Sequence, residues 1–365
     1  MPSAITQLND FGQSPWYDNL ARSLLRDGGL QRLIDDDGIR GVTSNPTIFE
    51  KAMGTGTDYD EGLKACAAAG MSIEDSYWHL VTEDVGHAAD LFRPVYDAAQ
   101  GADGFVSVEV SPDLAHDTAG TCAQAKELFA QLNRPNVMIK IPATAEGLPA
   151  ITATIAAGIN VNVTLIFALA RHEAVIDAYL DGLEQLAASG GDLSKVSSVA
   201  SFFVSRVDTE TDRRLPDGHA LRGKAAVANA KLAYQLFKAR FAADRWAPLA
   251  QKSARLQRPL WASTSTKNPA YSPTLYIDEL IGKHTVNTLA PASIEELHKG
   301  DTNLRPDTVQ EDVEGALRTI ESLAEAGVDF DDVTATLERE GVASFSASFH
   351  DALNTLEKKR GEVTS

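Results

Sequence analysis

PNVMIKIPAT, at positions 135–144, is the stretch that decides how the rest of the chain folds. Its apolar residues Val137, Ile139 and Ile141 recur at every second position, which is the period of a β-strand. A proline follows Ile141 and ends the ladder of backbone pairing there. Lys140 therefore lies inside an apolar run, close to the carboxyl end of a predicted strand.

Two interpretations of Lys140 are open at this point. An ammonium group that leaves water costs several kcal/mol unless it is paired or loses its proton. On an edge strand it would be a structural lysine that extends to solvent or forms an ion pair. In a buried strand, desolvation would favour the neutral amine, which is a nucleophile able to form a Schiff base with a carbonyl substrate.

Eight predicted strands alternate with predicted helices along the chain. Helical crossovers join parallel strands, and eight such units close into a (β/α)8 TIM barrel with its active site at the carboxyl ends of the strands. An open doubly wound sheet is the alternative, but its usual fingerprints, GxGxxG and GxxxxGK[ST], do not occur in the sequence. The strands are expected at residues 16–19, 38–46, 105–110, 137–142, 160–167, 197–204, 259–263 and 285–289.

The predicted helices add two features to the barrel. Residues 47–100 are helix-rich and place additional helices in the connection between the second and third strands (β2–β3). From about residue 292 the chain becomes helical and charged, which predicts a C-terminal helical extension. We expect one domain over residues 1–365, with the barrel at about 15–295. The other helices are expected at residues 3–12, 20–34, 123–132, 147–157, 168–188, 223–244 and 274–281.

Each predicted strand has one aliphatic face and one polar face. Ser107 and Glu109 alternate with valines, for example, and Asn162 and Thr164 alternate with Val163 and its neighbours. Because helices cover the outside of such a barrel, the aliphatic faces of the strands must pack against them, and the polar faces must point into the barrel. Branched apolar side chains usually fill that interior. A polar lining near the carboxyl ends predicts a functional site. Its candidate residues are Asp18, Asn45, Glu109, Lys140, Asn162, Thr164, Ser201 and Phe203.

The composition is that of an ordinary soluble globular protein, with 44% hydrophobic and 23% charged residues. A net charge of -18 argues against nucleic acid or an acidic membrane as a partner, because both require a basic surface. Cys66 and Cys122 have neither metal nor redox spacing. Without a leader or a membrane-spanning run, the chain is expected to be cytoplasmic.

Six segments of the sequence resemble the transaldolase family, in the same order as in that family. The lysine strand and GINVNVTLIF are the most specific of them, and the length is similar to that of the longer bacterial transaldolases. The resemblance extends over about residues 15–295 and implies a TIM barrel. The segments are GVTSNPTIFEKA (41–52), VSVEVSP (106–112), VMIKIPATAEGLPAI (137–151), GINVNVTLIF (158–167), SVASFFVSRVD (198–208) and LWASTSTKNPAY (260–271).

The resemblance implies a transferase of the non-oxidative pentose phosphate pathway that uses sugar phosphates and no cofactor or metal. It would move a dihydroxyacetone unit from sedoheptulose 7-phosphate to glyceraldehyde 3-phosphate, giving erythrose 4-phosphate and fructose 6-phosphate. Lys140 would form the Schiff base, Asp18 would act as the base at the C4 hydroxyl, and Glu109 with Thr164 would hold a water for proton transfer. Substrate binding would fall to Asn45, Asn162, Ser201, Phe203, Arg206, Ser263 and Lys267.

One position departs from the family. Many transaldolases have an arginine two residues after the serine that corresponds to Ser263, but Ser265 stands here. Lys267 is the expected replacement cation for the substrate phosphate, a point charge in place of a planar fork. We expect a monomer or a homodimer.

Two other functions compete with transfer. A class I aldolase would release free dihydroxyacetone, as fructose 6-phosphate aldolases do. Phe203 favours transfer, because those aldolases usually have a tyrosine there. A catalytically inactive barrel that only binds partners is disfavoured because Lys140, Glu109, Asp18 and Asn162 occur together.

Overall fold

The computed structural model describes residues 3–364. Eight parallel strands form a closed barrel in chain order, and the last strand pairs with the first. The TIM barrel is thus confirmed, and the open doubly wound sheet is excluded. The strands are β1 Gln13–Tyr17, β2 Gly41–Thr43, β3 Phe105–Glu109, β4 Val137–Pro142, β5 Val161–Ile166, β6 Ser198–Phe203, β7 Gln257–Ala262 and β8 Thr285–Leu289.

Helices surround the barrel and pack on the aliphatic faces of the strands. The buried isoleucines of β4 and valines of β3 belong to one continuous hydrophobic core. The helices are α1 Ala4–Asp10, α2 Arg22–Arg26, α3 Gly29–Asp35, α4 Pro46–Gly54, α5 Asp60–Ala68, α6 Ile73–Ala98, α7 Thr118–Leu132, α8 Gly147–Ala156, α9 Leu169–Ala188, α10 Ser205–Arg214, α11 Ala225–Arg240, α12 Ala247–Ala250, α13 Leu275–Asp278, α14 Pro291–Lys299, α15 Val313–Glu325 and α16 Phe330–Val363.

The register of the central strands brings the polar positions together. Glu109 on β3 pairs with Lys140 on β4, and Lys140 pairs with Asn162 on β5. The side chains of paired residues point to the same face of a sheet, so these three share one face. The parity predicted from the sequence is therefore correct. Beyond Asn162 the register of β5 with β6 shifts between Val163 and Ile166, and Leu165 in this irregularity has a positive φ of 59°.

The expected additional helices are present: α4, α5 and α6 lie between β2 and β3, and α14 to α16 follow the barrel. One helix prediction and one strand boundary were wrong. Residues 20–34 form α2 and α3 rather than one helix, because Gly28 between them has a left-handed backbone with φ 72°. The first strand also ends at Tyr17, so that Asp18 follows it.

Helix α10 was not predicted, although it starts immediately after β6 at the carboxyl end of the barrel. Its sequence, SRVDTETDRR, has little apolar periodicity because its buried face is itself polar. Asp208 on that face accepts hydrogen bonds from the backbone N–H of Ala226 (2.8 Å) and from the hydroxyl of Tyr276 (2.8 Å). Among residues 3–364 no helix is both long and apolar enough to cross a membrane.

Candidate active site

Lys140 lies near the carboxyl end of β4, and its side chain is only 5% exposed. Its Nζ donates a hydrogen bond to the backbone carbonyl of Ser44 (3.3 Å) and lies 3.6 Å from Oε2 of Glu109. Because the barrel is closed and the side chain is buried, Lys140 is not a lysine on an edge strand that extends to solvent. The amine faces a cavity of about 690 Å³ at this end of the barrel.

Glu109 is the buried carboxyl beside this amine. Its side chain is 4% exposed. Burial raises the pKa of Glu109 to about 7, and the nearby Lys140 opposes this increase without cancelling it. A carboxyl group with such a pKa can hold a proton and release it near neutral pH, as a general acid or base requires.

A hydrogen-bonded chain links three strands behind the lysine. The amide Nδ2 of Asn162 donates to Oγ of Ser107 (3.0 Å), and Oγ of Ser201 donates to the Asn162 Oδ1 (2.6 Å). This chain fixes the asparagine beside Lys140. Two polar atoms of the same interior, Oε2 of Glu109 and Oγ1 of Thr164, are buried without a hydrogen-bond partner among residues 3–364. Such atoms are rare in native proteins and suit groups that bind a ligand or a water.

Asp18 stands at the opposite side of the cavity, directly after β1. Oγ1 of Thr43 donates a 2.7 Å hydrogen bond to its Oδ1, and its backbone N–H pairs with the carbonyl of Leu289 on β8. The aspartate does not cap α2, whose N-cap is Ala21. It therefore does not have the common structural role of an aspartate before a helix, and it lines the cavity.

Asn45 has two roles. Its Oδ1 caps α4 by accepting a hydrogen bond from the backbone N–H of Ile48 (3.0 Å). The same side chain lines the cavity. With its oxygen held by the cap, the asparagine keeps its amide NH2 as the group that can donate to a ligand hydroxyl.

A positively charged end of the cavity is formed by α10 and by the loop after β7. Arg206, in the first turn of α10, forms no ion pair within 4.0 Å anywhere in residues 3–364. Burial lowers the pKa of Arg206, as it does for Lys267, where the neighbouring Arg206 charge lowers the pKa further. Although Lys267 is exposed as a residue, its ammonium is thus partly desolvated and close to a second cation. Two neighbouring cations that form no ion pair with any residue from 3 to 364 suit a dianionic phosphate.

Ser263 and Phe203 complete this end. Oγ of Ser263 and Oγ of Ser205 are 2.9 Å apart, which joins the loop after β7 to the start of α10. The ring of Phe203 packs on Phe167 (5.2 Å between centroids) and lies 5.4 Å from Cζ of Arg206. The guanidinium therefore rests on an aromatic face while its charge stays available to a ligand.

The structure divides the predicted site residues into two groups. Glu109, Asn162 and Thr164 lie behind the cavity wall, buried in the barrel interior. The others line the cavity itself: Asp18, Asn45, Lys140, Ser201, Phe203, Arg206, Ser263 and Lys267.

The sequence interpretation missed three contributors to this site. Thr43 holds Asp18, and its position on the face of Asn45, two residues away, was a signal that could have identified it. Lys51 on α4 also lines the cavity. Phe345 comes from α16, far from the barrel in sequence, and nothing in the helical pattern around it marks it as a site residue.

A family model described as transaldolase/fructose-6-phosphate aldolase matches residues 15–356 of the chain. The chain belongs to this family. The match extends beyond the barrel into the C-terminal helices, so that α16 is part of the shared pattern. The description of the family names the two activities weighed from the sequence, transaldolase and fructose-6-phosphate aldolase.

Curated relatives indicate which of the two activities in the family's description applies. The chain is 50% identical over 360 residues to a transaldolase of Saccharopolyspora erythraea, a match that covers 98% of each chain. It is 49% identical over 362 residues to a transaldolase of Arthrobacter sp. strain FB24 (98% and 97% covered), and 49% identical over 359 residues to one of Thermobifida fusca (97% of each). The chain therefore has the activity class of a transaldolase, a transferase of aldehyde or ketone residues.

Proposed function

We propose that this protein transfers a dihydroxyacetone unit from sedoheptulose 7-phosphate to glyceraldehyde 3-phosphate, as a cytoplasmic enzyme of the non-oxidative pentose phosphate pathway. Erythrose 4-phosphate and fructose 6-phosphate are the products. The observation that carries this proposal is the buried pair of Lys140 and Glu109, with 3.6 Å between Nζ and Oε2, at the wall of a cavity whose other end is cationic. We further propose that barrel and C-terminal extension act as one domain, in a monomer or homodimer.

In the first half of the reaction, the neutral Nζ of Lys140 adds to the C2 carbonyl of the donor ketose. Glu109 delivers a proton to the oxygen that leaves as water, and Thr164 holds the water that relays it. The resulting iminium withdraws electrons from the C3–C4 bond. Asp18 removes the proton of the C4 hydroxyl, the C3–C4 bond breaks, and the first aldehyde product leaves.

In the second half, the lysine-bound enamine keeps its electron pair at C3. Asn45 and Asn162 hydrogen-bond the hydroxyls of this three-carbon fragment, and Ser201 holds the orientation of Asn162. The C3 carbon then attacks the acceptor aldehyde, whose new hydroxyl takes the proton back from Asp18. Hydrolysis of the iminium returns the Lys140 amine and releases the product ketose.

The phosphate of each aldose or ketose would bind at the far end of the cavity. Arg206 would form two parallel hydrogen bonds with phosphate oxygens, and Lys267 would add a point charge. Ser263 would donate its hydroxyl. Phe203 supplies an apolar wall beside this site, which favours transfer over release of free dihydroxyacetone.

Trapping of the intermediate tests the proposal. Incubation with fructose 6-phosphate and borohydride should reduce the iminium and leave a three-carbon adduct on Lys140, identified by peptide mass spectrometry. Lys140→Ala should form no adduct and lose turnover almost completely. An adduct on another lysine, or none, would contradict the mechanism. Equally fast product formation without an acceptor aldehyde would identify a class I aldolase in place of a transferase.

A further inference from the structure

Helix α16 lies across the carboxyl end of the barrel and is attached to several βα units around the site. Its Ser348 hydroxyl is 2.8 Å from that of Thr47 on α4, and its Asp332 forms an ion pair of 2.7 Å with Arg214 on α10. Further contacts reach α9 through Arg171 and Glu338 (3.3 Å) and the turn after β3 through Asp113 and Ser346 (3.0 Å). These contacts, with elements that follow different strands of the barrel, hold α16 over the cavity, and we call this helix the roof of the cavity.

Phe345 is the aromatic side chain that this roof directs into the cavity. It is 3% exposed. Its ring centroid lies 5.9 Å from Nζ of Lys140 and 6.0 Å from Cζ of Arg206. The ring therefore borders the space between the reactive amine and the phosphate end, where the carbon chain of a bound sugar would lie.

A close approach of α16 to β5 allows the ring to reach this depth. Gly341, one helical turn before Phe345, lies on the same side of α16. A Cβ atom at Gly341 would come within 2.9 Å of Cδ2 of Leu165. Leu165 is the residue with positive φ in the irregular end of β5. The glycine thus removes the side chain that would hold the helix away from the barrel.

We propose that Phe345 determines the fate of the lysine-bound three-carbon fragment by keeping water away from C3. This inference rests on the function proposed above. If water reaches the enamine, C3 takes a proton and the electron pair is lost to the new C–H bond. Water then adds to C2 of the iminium, the C–N bond breaks, and dihydroxyacetone leaves with regeneration of the amine. An apolar ring over the fragment disfavours this route and leaves C3 available to the acceptor aldehyde.

Phe345→Ala and Phe345→Leu test the proposal. The measured quantity is the rate of dihydroxyacetone release from fructose 6-phosphate without acceptor, divided by the rate of transfer to erythrose 4-phosphate by the same preparation. A ratio of two rates does not depend on the fraction of folded enzyme. It should rise by about fivefold or more in Phe345→Ala, equivalent to about 1 kcal/mol of differential barrier. Phe345→Leu should show a smaller rise, because leucine restores part of the apolar surface.

Leu356→Ala is the matched control. Leu356 is fully buried on the same helix, three turns beyond Phe345, and does not line the cavity. Its truncation weakens the packing of α16 without changing the ring, and thermal unfolding will show how far each variant is destabilised. The ratio in this control should stay at the wild-type value.

An unchanged ratio in both Phe345 variants would overturn the proposal, and so would an equal rise in Leu356→Ala, which would assign the effect to docking of the whole helix. Either result could occur in an enzyme whose wild type transfers normally and traps on Lys140. A failure of the proposed function would instead appear in the wild type, as missing transfer or a missing adduct.

Discussion

The burial of the Glu109 carboxyl group makes the free energy of unfolding of the protein depend on pH. Folding raises its pKa to about 7, from an ordinary value near 4.5. Between these values the folded protein holds a proton that the unfolded chain has lost. Stability falls with rising pH wherever the folded state binds more protons. The contribution of Glu109 is therefore unfavourable above this range and disappears below it.

Glu109→Gln removes this ionisation while keeping the shape of the side chain. From pH 5 to pH 7, the free energy of unfolding measured with urea should decrease more in the wild type than in the variant, by on the order of 2 kcal/mol. Glu146→Gln is the control. The hydrogen bond from His116 lowers the pKa of Glu146, so its ionisation lies outside this range. An equal pH dependence in the wild type and Glu109→Gln would show that the carboxyl is not perturbed as described.

Single residues of the site could be predicted as far as strand parity reaches. Lys140, Glu109 and Asn162 could be predicted from the alternation of polar and apolar residues in three neighbouring strands, because residues paired across parallel strands have their side chains on the same face of the sheet. Asp18 and Asn45 were included as polar positions of predicted strands, but the structure places them just beyond the strand ends, and their roles came from the family resemblance. Their local partners, Thr43 and Ile48, became known only from the structure.

At the scale of elements, the loop between β7 and α13 carries Ser263 and Lys267. It is held to α10 at its start by the contact of Ser263 with Ser205, and near its end by Tyr271. The Tyr271 hydroxyl in this loop donates to Oδ2 of Asp212 (2.5 Å). Oδ1 of the same carboxylate accepts the backbone N–H of Gly223 (2.9 Å). Because Arg206 lies on α10, this contact sets the position of Lys267 relative to Arg206.

Tyr271→Phe should loosen the loop and raise KM for sugar phosphates by about threefold to tenfold, with kcat nearly unchanged. A hydrogen bond to a charged group contributes about 1.5–3 kcal/mol, and part of this loss should reach the phosphate site. Steady-state kinetics with fructose 6-phosphate will measure this change. Tyr234→Phe, which also loses a hydroxyl contact (to the Lys283 carbonyl, 3.1 Å) on α11, should keep the wild-type KM. The role of Tyr271 would be refuted if KM for a phosphate-free donor such as fructose rose equally.

Elements with a clear hydrophobic period were predicted well. The prediction for β8 is confirmed at both ends, and that for α9 within one residue. Helix α10 escaped prediction because its buried face includes Asp208 and Asp212, whose carboxylates accept hydrogen bonds from other elements. For α16 the helix was expected, but its course was not, because its long-range contacts with α4, α9 and α10 follow no local pattern.

The whole molecule carries 51 acidic and 33 basic residues. Many of the basic residues form ion pairs at the surface, such as Arg134 with Asp90 (2.7 Å) and Lys299 with Glu296 (2.7 Å). Exposed pairs of this kind contribute little each, with a median of about 0–1 kcal/mol. The excess of 18 negative charges acts over longer distances and repels itself in the compact state. Salt weakens both the attraction within the ion pairs and the repulsion among the excess negative charges, and the repulsion is the larger of the two.

Raising sodium chloride from about 10 mM to about 0.5 M, which shortens the screening length from about 30 Å to below 8 Å, should therefore increase the free energy of unfolding at pH 7.5. Urea unfolding will measure it, and potassium chloride at the same ionic strength should act equally, because screening does not depend on the cation. Near pH 4.8, where the net charge vanishes, the gain should disappear or reverse, since only attractive pairs remain to be screened. A gain of the same size at both pH values would contradict self-repulsion as its cause.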